Sequence, residues 1–221
     1  MTRRPVPSEL IWSEDPADAD LPIAWAVSVT KKVLDWVWRA FDSLRTNCLK
    51  RIDFHQPMEQ VERDLVHLHF VEIQILFAAE SDDGFAAIVP SHERPELETR
   101  SSAPAKPTAN DLAFVCVGNR RWAWPIEAKV ISTTGALAAY LDDVNDKFVK
   151  GIAAPLVGEG AMIGYLLFND TVSVFANLAF KLNLNLESIA EFSARPHRVS
   201  RHTRTSAPDL RLHHLLMACV E

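Results

Sequence analysis

Apolar residues recur at spacings of three and four between Pro22 and Ile52, where Trp25, Val29, Val33, Trp36, Ala40 and Leu44 form one stripe. That period predicts an amphipathic helix. A second helix is expected from Pro57, which suits a first turn because it lacks an N–H, to about Glu80. Its stretch LVHLHFVEIQI also alternates in part like a strand. Residues 81–110 read as a connector with a short strand, FAAIVP at 85–90, and an exposed proline- and serine-rich loop, SSAPAKPTAN. Two strands follow in quick succession, DLAFVCV (111–117) and RWAWPIEAKVI (121–131), with Gly118 and Asn119 marking a hairpin turn. A helix over GALAAYLDDVNDKFVKGIA, a strand at 161–168, a helix at about 171–183 and one or two final strands complete the chain. This order predicts an α/β fold, a mixed sheet flanked by helices, with an N-terminal helical extension.

The hairpin carries the candidate chemistry. Side chains alternate faces along a strand, so Glu127 and Lys129 point the same way with Cα atoms about 6.5–7 Å apart. Asp111 joins them only if the register sets it opposite Glu127 or Lys129; opposite Ala128 it points to the far face. A two-residue turn at Asn119-Arg120 gives the unfavourable register. An odd-length loop is required, or a bulge at Gly118 or Pro125. Two carboxylates together offer hard oxygen ligands to Mg²⁺. A bound ion of that kind lowers the pKa of a water and offsets charge on a phosphodiester, and a neighbouring lysine can orient the water or stabilise the transition state. The competing reading of Glu127 and Lys129 is a solvent-facing ion pair. Their place in an otherwise apolar strand, where unpaired charge is costly, favours the functional reading.

NDLAFVCVGNRRWAWPIEAKVI resembles the second and third motif strands of the PD-(D/E)XK, restriction-endonuclease-like nuclease superfamily. Asp111 matches the motif aspartate, and Glu127 and Lys129 match the E-x-K pair; Asn110 stands where the name-giving proline would be. GEGAMIGYLLF and the ending RLHHLLM are similar to segments of uncharacterised bacterial proteins with this core. The resemblance covers about residues 57–218 and divides the chain into an N-terminal arm and helix (1–54) and a nuclease-like domain (55–221). It implies Mg²⁺- or Mn²⁺-dependent cleavage of nucleic acid, DNA by preference, often in defence against foreign DNA. It also implies a glutamate from the first core helix. Glu62 is the choice, with Glu59 and Glu72 as rivals and Glu93, before the connector, as a further candidate carboxylate.

Charge and composition adjust this picture in a few places. The formal net charge of -6 argues against coating nucleic acid by bulk attraction. The segment 195–204 nevertheless holds four arginines and two histidines without an acid. Arg195, Arg198, Arg201 and Arg204, with His197 and His202, are therefore candidate phosphate contacts, the alternative being a charge-defended edge strand. His67, His69, His213 and His214 lack the spacing of a helical zinc site and read as core or surface residues. The three cysteines lie far apart, which suits a reducing cytoplasm and neither a disulfide framework nor a zinc site. No apolar run predicts a membrane span, and the opening segment does not read as a secretory signal. Trp12, Trp25, Trp36 and Trp38 crowd the N-terminal fifth. Core packing or a partner surface, for a second copy of the chain or another protein, explains them better than base stacking. The alternative function is a non-catalytic nuclease-like module that regulates or anchors a partner through these tryptophans.

Overall fold

The structure, a computed structural model, describes residues 20–80, 88–96 and 108–220. The arm with Trp12, the first residues of FAAIVP and most of the SSAPAKPTAN loop lie outside the described residues. The elements are α1 (Leu21–Asn47), α2 (Met58–Glu80), β1 (Ile88–Pro95), β2 (Ala109–Cys116), β3 (Ala123–Ile131), α3 (Ala138–Asp142) running into a π-helical segment (Asp143–Val149), β4 (Glu159–Leu166), α4 (Thr171–Leu182), β5 (His197–His202) and β6 (Leu210–Ala218). The strands form a six-stranded mixed sheet in the order β1-β2-β3-β4-β6-β5. β3, β4 and β6 are parallel to one another, and β1–β2, β2–β3 and β5–β6 pair antiparallel.

Alternation along the strands sorts the apolar residues into two layers. Trp124, Ile126 and Ala128 of β3, with Ile163 and Tyr165 of β4 and Leu215 of β6, pack under α1 and α2. Ile131, Met162, Leu166, Leu212 and Leu216 face α3, the π segment and α4. The protein is thus a sheet covered by helices on both faces, and β4 is buried along its whole length.

The LVHLHF stretch is helical. His69 is buried there between the Tyr165 hydroxyl and the Val37 carbonyl, each 2.8 Å from a ring nitrogen. It fastens α2 to α1 and to the sheet, so its partial strand-like alternation reflects contacts on two sides of one helix. The boundary expected near residue 54 is not a break in packing, because α1 shares a single core cluster with α2 and the central strands. Trp36 and Trp38 lie inside that core, and Trp25 packs against Trp122 of the hairpin at 6.2 Å between ring centres. For Trp36 and Trp38 the structure follows the core-packing reading: these two rings are spent on the protein's own core. Among the described residues, no helix is long and apolar enough to cross a membrane.

Candidate active site

The register between β2 and β3 decides whether Asp111 and Glu127 share a face. Leu112 pairs with Ile126 and Val115 with Ala123, and Cys116 N–H donates to Trp122 O at 2.9 Å. Residues 117–121, an odd count, are left as the loop. The same register, carried one step on, sets Asp111 opposite Glu127. No bulge is needed at Pro125, which stays in register with Ala113.

Beyond Leu112↔Ile126 the β2–β3 pairing stops, while β2 continues against β1 as far as Ala109↔Pro95. The N–H groups of Ala128 and Val130 would otherwise point at β2 with no carbonyl to meet, an expensive condition for buried backbone. Carboxylates take both. Asp111 Oδ2 accepts from Ala128 N–H at 2.8 Å, and Glu62 Oε2 from Val130 N–H at 3.2 Å. The opening at the strand end thus positions two acids.

Lys129 donates to Glu62 Oε1 at 2.9 Å and to its neighbour's carbonyl, Ala128 O, at 2.8 Å, and it lies 3.1 Å from Asp143. Lys147, one helical step from Asp143, lies 3.2 Å from it and 2.6 Å from Glu127 Oε2. Glu127 has 0% exposure, and its other oxygen, Oε1, is buried without a hydrogen-bond partner. Burial first, and the nearby Asp111 carboxylate second, push the Glu127 carboxyl up to about 8 against the pull of Lys147. Burial likewise raises Glu62, although Lys129 opposes it. On Lys129 burial works against the charge, but Glu62, Asp111 and Asp143 outweigh it and hold the ammonium above its ordinary range.

Asp111, Glu127, Lys129 and Glu62 therefore come together. Asp143 and Lys147 join them from the π-helical segment and were not among the sequence candidates. Glu72, ten residues further along α2 and so about 15 Å away along the axis, accepts from Ser43 at 2.6 Å in a separate, part-buried contact. Glu59 is exposed. Glu93 is exposed too, in β1 at the register position facing Asp111, with a left-handed φ of 47°.

The basic stretch does not join the site. β5 lies at the opposite side of the sheet, three strands from β3 and so about 14 Å across the ladder. Arg204 must be corrected as a phosphate contact: it is 7% exposed, and its guanidinium donates to the carbonyls of Phe148, Ala154, Val157 and Pro208. Arg195 pairs with Asp42 and lies over Trp38. Arg198 donates to the His197 carbonyl and lies over Phe175, and Arg201 pairs with Glu187 at 3.3 Å. His197 is buried, and His202 meets Ser200 at 2.7 Å.

No protein-family model, curated protein or solved structure matches this chain. The site is therefore judged on its own chemistry. Among the described residues, no three His, Cys, Asp or Glu side chains stand ready as a metal cage; two ammonium groups are wedged between the acids instead. The donor set still suits a hard divalent cation. Asp111 and Glu127 hold facing register positions on one face of the sheet, and one buried oxygen of Glu127 has no hydrogen-bond partner.

Proposed function

We propose that the chain is a metal-dependent nuclease of the PD-(D/E)XK, restriction-endonuclease-like type, hydrolysing phosphodiester bonds in DNA. The observation that carries this reading is the apposition of Asp111 and the unpartnered Glu127 oxygen on one face, with Lys129 one pleat further along the same strand. Asp111 and Glu127 would hold a Mg²⁺ or Mn²⁺ ion, whose contribution when bound is a more acidic water and countercharge for the phosphate. Asp111 is aligned by the Ala128 N–H. Glu62, held by the Val130 N–H, fixes the Lys129 ammonium beside the carboxylates, where it can orient an attacking water or meet a phosphate oxygen. A role in defence against foreign DNA rests on the sequence resemblance.

The test is plasmid cleavage in Mg²⁺ or Mn²⁺. Asp111→Ala and Lys129→Ala should each abolish cleavage with circular dichroism unchanged; full cleavage by both would remove the proposal. The second reading, a non-catalytic nuclease-like module, draws on the two lysines that already partner the acids. Calorimetric titration separates the two, because a decayed site takes up no Mn²⁺.

A further inference from the structure

We propose that Lys147 is the resident counter-cation of this site. Its ammonium stands in for the divalent ion on Glu127 in the metal-free protein and is released toward a substrate phosphate when the ion enters. The inference rests on the nuclease reading above and concerns how that site is loaded.

The two lysines are held differently. Lys129 has a third anchor in the Ala128 carbonyl at 2.8 Å, besides Glu62 and Asp143, and is fixed within the strand end. Among the described residues Lys147 has two acids only, Glu127 at 2.6 Å and Asp143 at 3.2 Å. It comes from a π-helical segment, a winding found often at functional sites. Glu127 is divided accordingly: Oε2 is taken by the ammonium, while Oε1 is buried and open. An ion held by Asp111 and Glu127 would put like charge close to the Lys147 ammonium, and that repulsion is strong where water is scarce. The lysine has somewhere to go. Asp143 lies one turn back on its own segment, and a flexible four-carbon stem carries the ammonium as a point charge suited to phosphate. Loading of metal and capture of phosphate are thereby coupled through one side chain.

The coupling is read by calorimetric titration of the whole chain with Mn²⁺ alone. Compared at alkaline pH, where Glu127 is ionised, Lys147→Met removes the competing ammonium and should bind Mn²⁺ about tenfold more tightly than the native protein, whereas Lys147→Arg, which keeps the charge, should stay near native affinity. Asp111→Asn should abolish binding in either background. In a separate titration with Ca²⁺ in place of Mn²⁺, so that the strand stays uncleaved, a short DNA strand should tighten Ca²⁺ binding to the native protein and do so less in Lys147→Met. If Lys147→Met binds no more tightly while Asp111→Asn still abolishes binding, the counter-cation proposal is overturned and the metal site stands. If no variant takes up Mn²⁺, the nuclease reading falls and this proposal falls with it. Should the methionine variant fail to fold, Lys147→Gln makes the same comparison with an uncharged side chain that can still hydrogen-bond to Glu127.

Discussion

Glu127 and Glu159 are buried glutamates on adjacent parallel strands, yet their surroundings differ in kind. Glu159 Oε2 lies 2.9 Å from His213 Nε2, and Oε1 lies 3.5 Å from Arg211. His213 passes the chain on to His197 at 2.9 Å. At the end of this Glu159–His213–His197 relay His197 Nδ1 is buried without a hydrogen-bond partner, beside the rings of Trp38 and Phe192. Glu127 has an acid for a neighbour and an open oxygen. Both carboxyls are pushed up by burial, Glu127 to about 8 and Glu159 to about 7, so a raised pKa does not tell them apart. What differs is what a cation would gain. At Glu159 the arginine and histidine already answer the charge, and the network reads as structure. At Glu127 a lysine answers one oxygen only, and the other is buried and open on the face that Asp111 shares.

The sharpest way to break this contrast is a matched pair of amide substitutions. Glu127→Gln should lower cleavage by at least about 100-fold, since loss of metal-borne charge stabilisation is worth several kcal/mol, and Mn²⁺ uptake should go with it. Glu159→Gln should leave uptake and cleavage close to native. In the native protein Mn²⁺ affinity should also climb as pH rises toward 8, because Glu127 must be ionised to hold the ion. Equal loss in both variants would erase the distinction.

The histidine side of the contrast is tested by acid. His69 is lowered to about 4 and His214 to about 3, in both cases chiefly by burial, and burial lowers His197 and His213 as well. These groups stay neutral in the fold, while the unfolded chain takes up protons below the ordinary histidine value of about 6.5. Their stability contribution is complete above that pH and is lost as pH falls toward the folded values. Guanidinium melts at pH 6, 5 and 4 should show a steady fall, partly offset by Glu127 and Glu159, whose raised carboxyls favour the fold as they take up protons. His213→Ala should cost about 2–4 kcal/mol at pH 7, the loss of buried contacts and a buried partner, and should flatten the acid slope without altering Mn²⁺ uptake. A pH-independent midpoint would contradict the buried neutral histidines.

Much of the candidate site was written in local pattern. An acid and a lysine two apart in an apolar strand, an aspartate at a hairpin's far end and a glutamate in a preceding helix are all visible without coordinates. The register was legible only as a condition on loop parity, which the loop 117–121 meets. Asp143 and Lys147 were not legible, because an acid and a lysine four apart on a helix look like an ordinary solvent pair. Tyr140, Val144 and Phe148, which pin that segment to the sheet, act from across the fold. Arg204 misleads for the complementary reason: its partners are backbone carbonyls at the end of the π segment and in two loops, which leave no trace in side-chain type.

Gly160 offers the smallest and most local test, because it stands between the two regions. It follows Glu159 in β4, and a Cβ there would lie 2.7 Å from Phe148 Cε1 and 3.2 Å from the Pro125 carbonyl. The carbonyl belongs to a strand that is buried around it and has little room to give, so the Phe148 ring must move. Gly160→Ala should therefore cost about 1–2 kcal/mol by overpacking. Lys147 precedes Phe148 in the chain, and a displaced ring should loosen its grip on Glu127 and tighten Mn²⁺ binding by a small factor. The Glu159–His213 chain lies on the other face and should keep its acid slope. A Gly160→Ala protein with a changed acid slope and unchanged Mn²⁺ affinity would mean that the glycine serves the histidine network rather than the approach of the lysine-bearing segment.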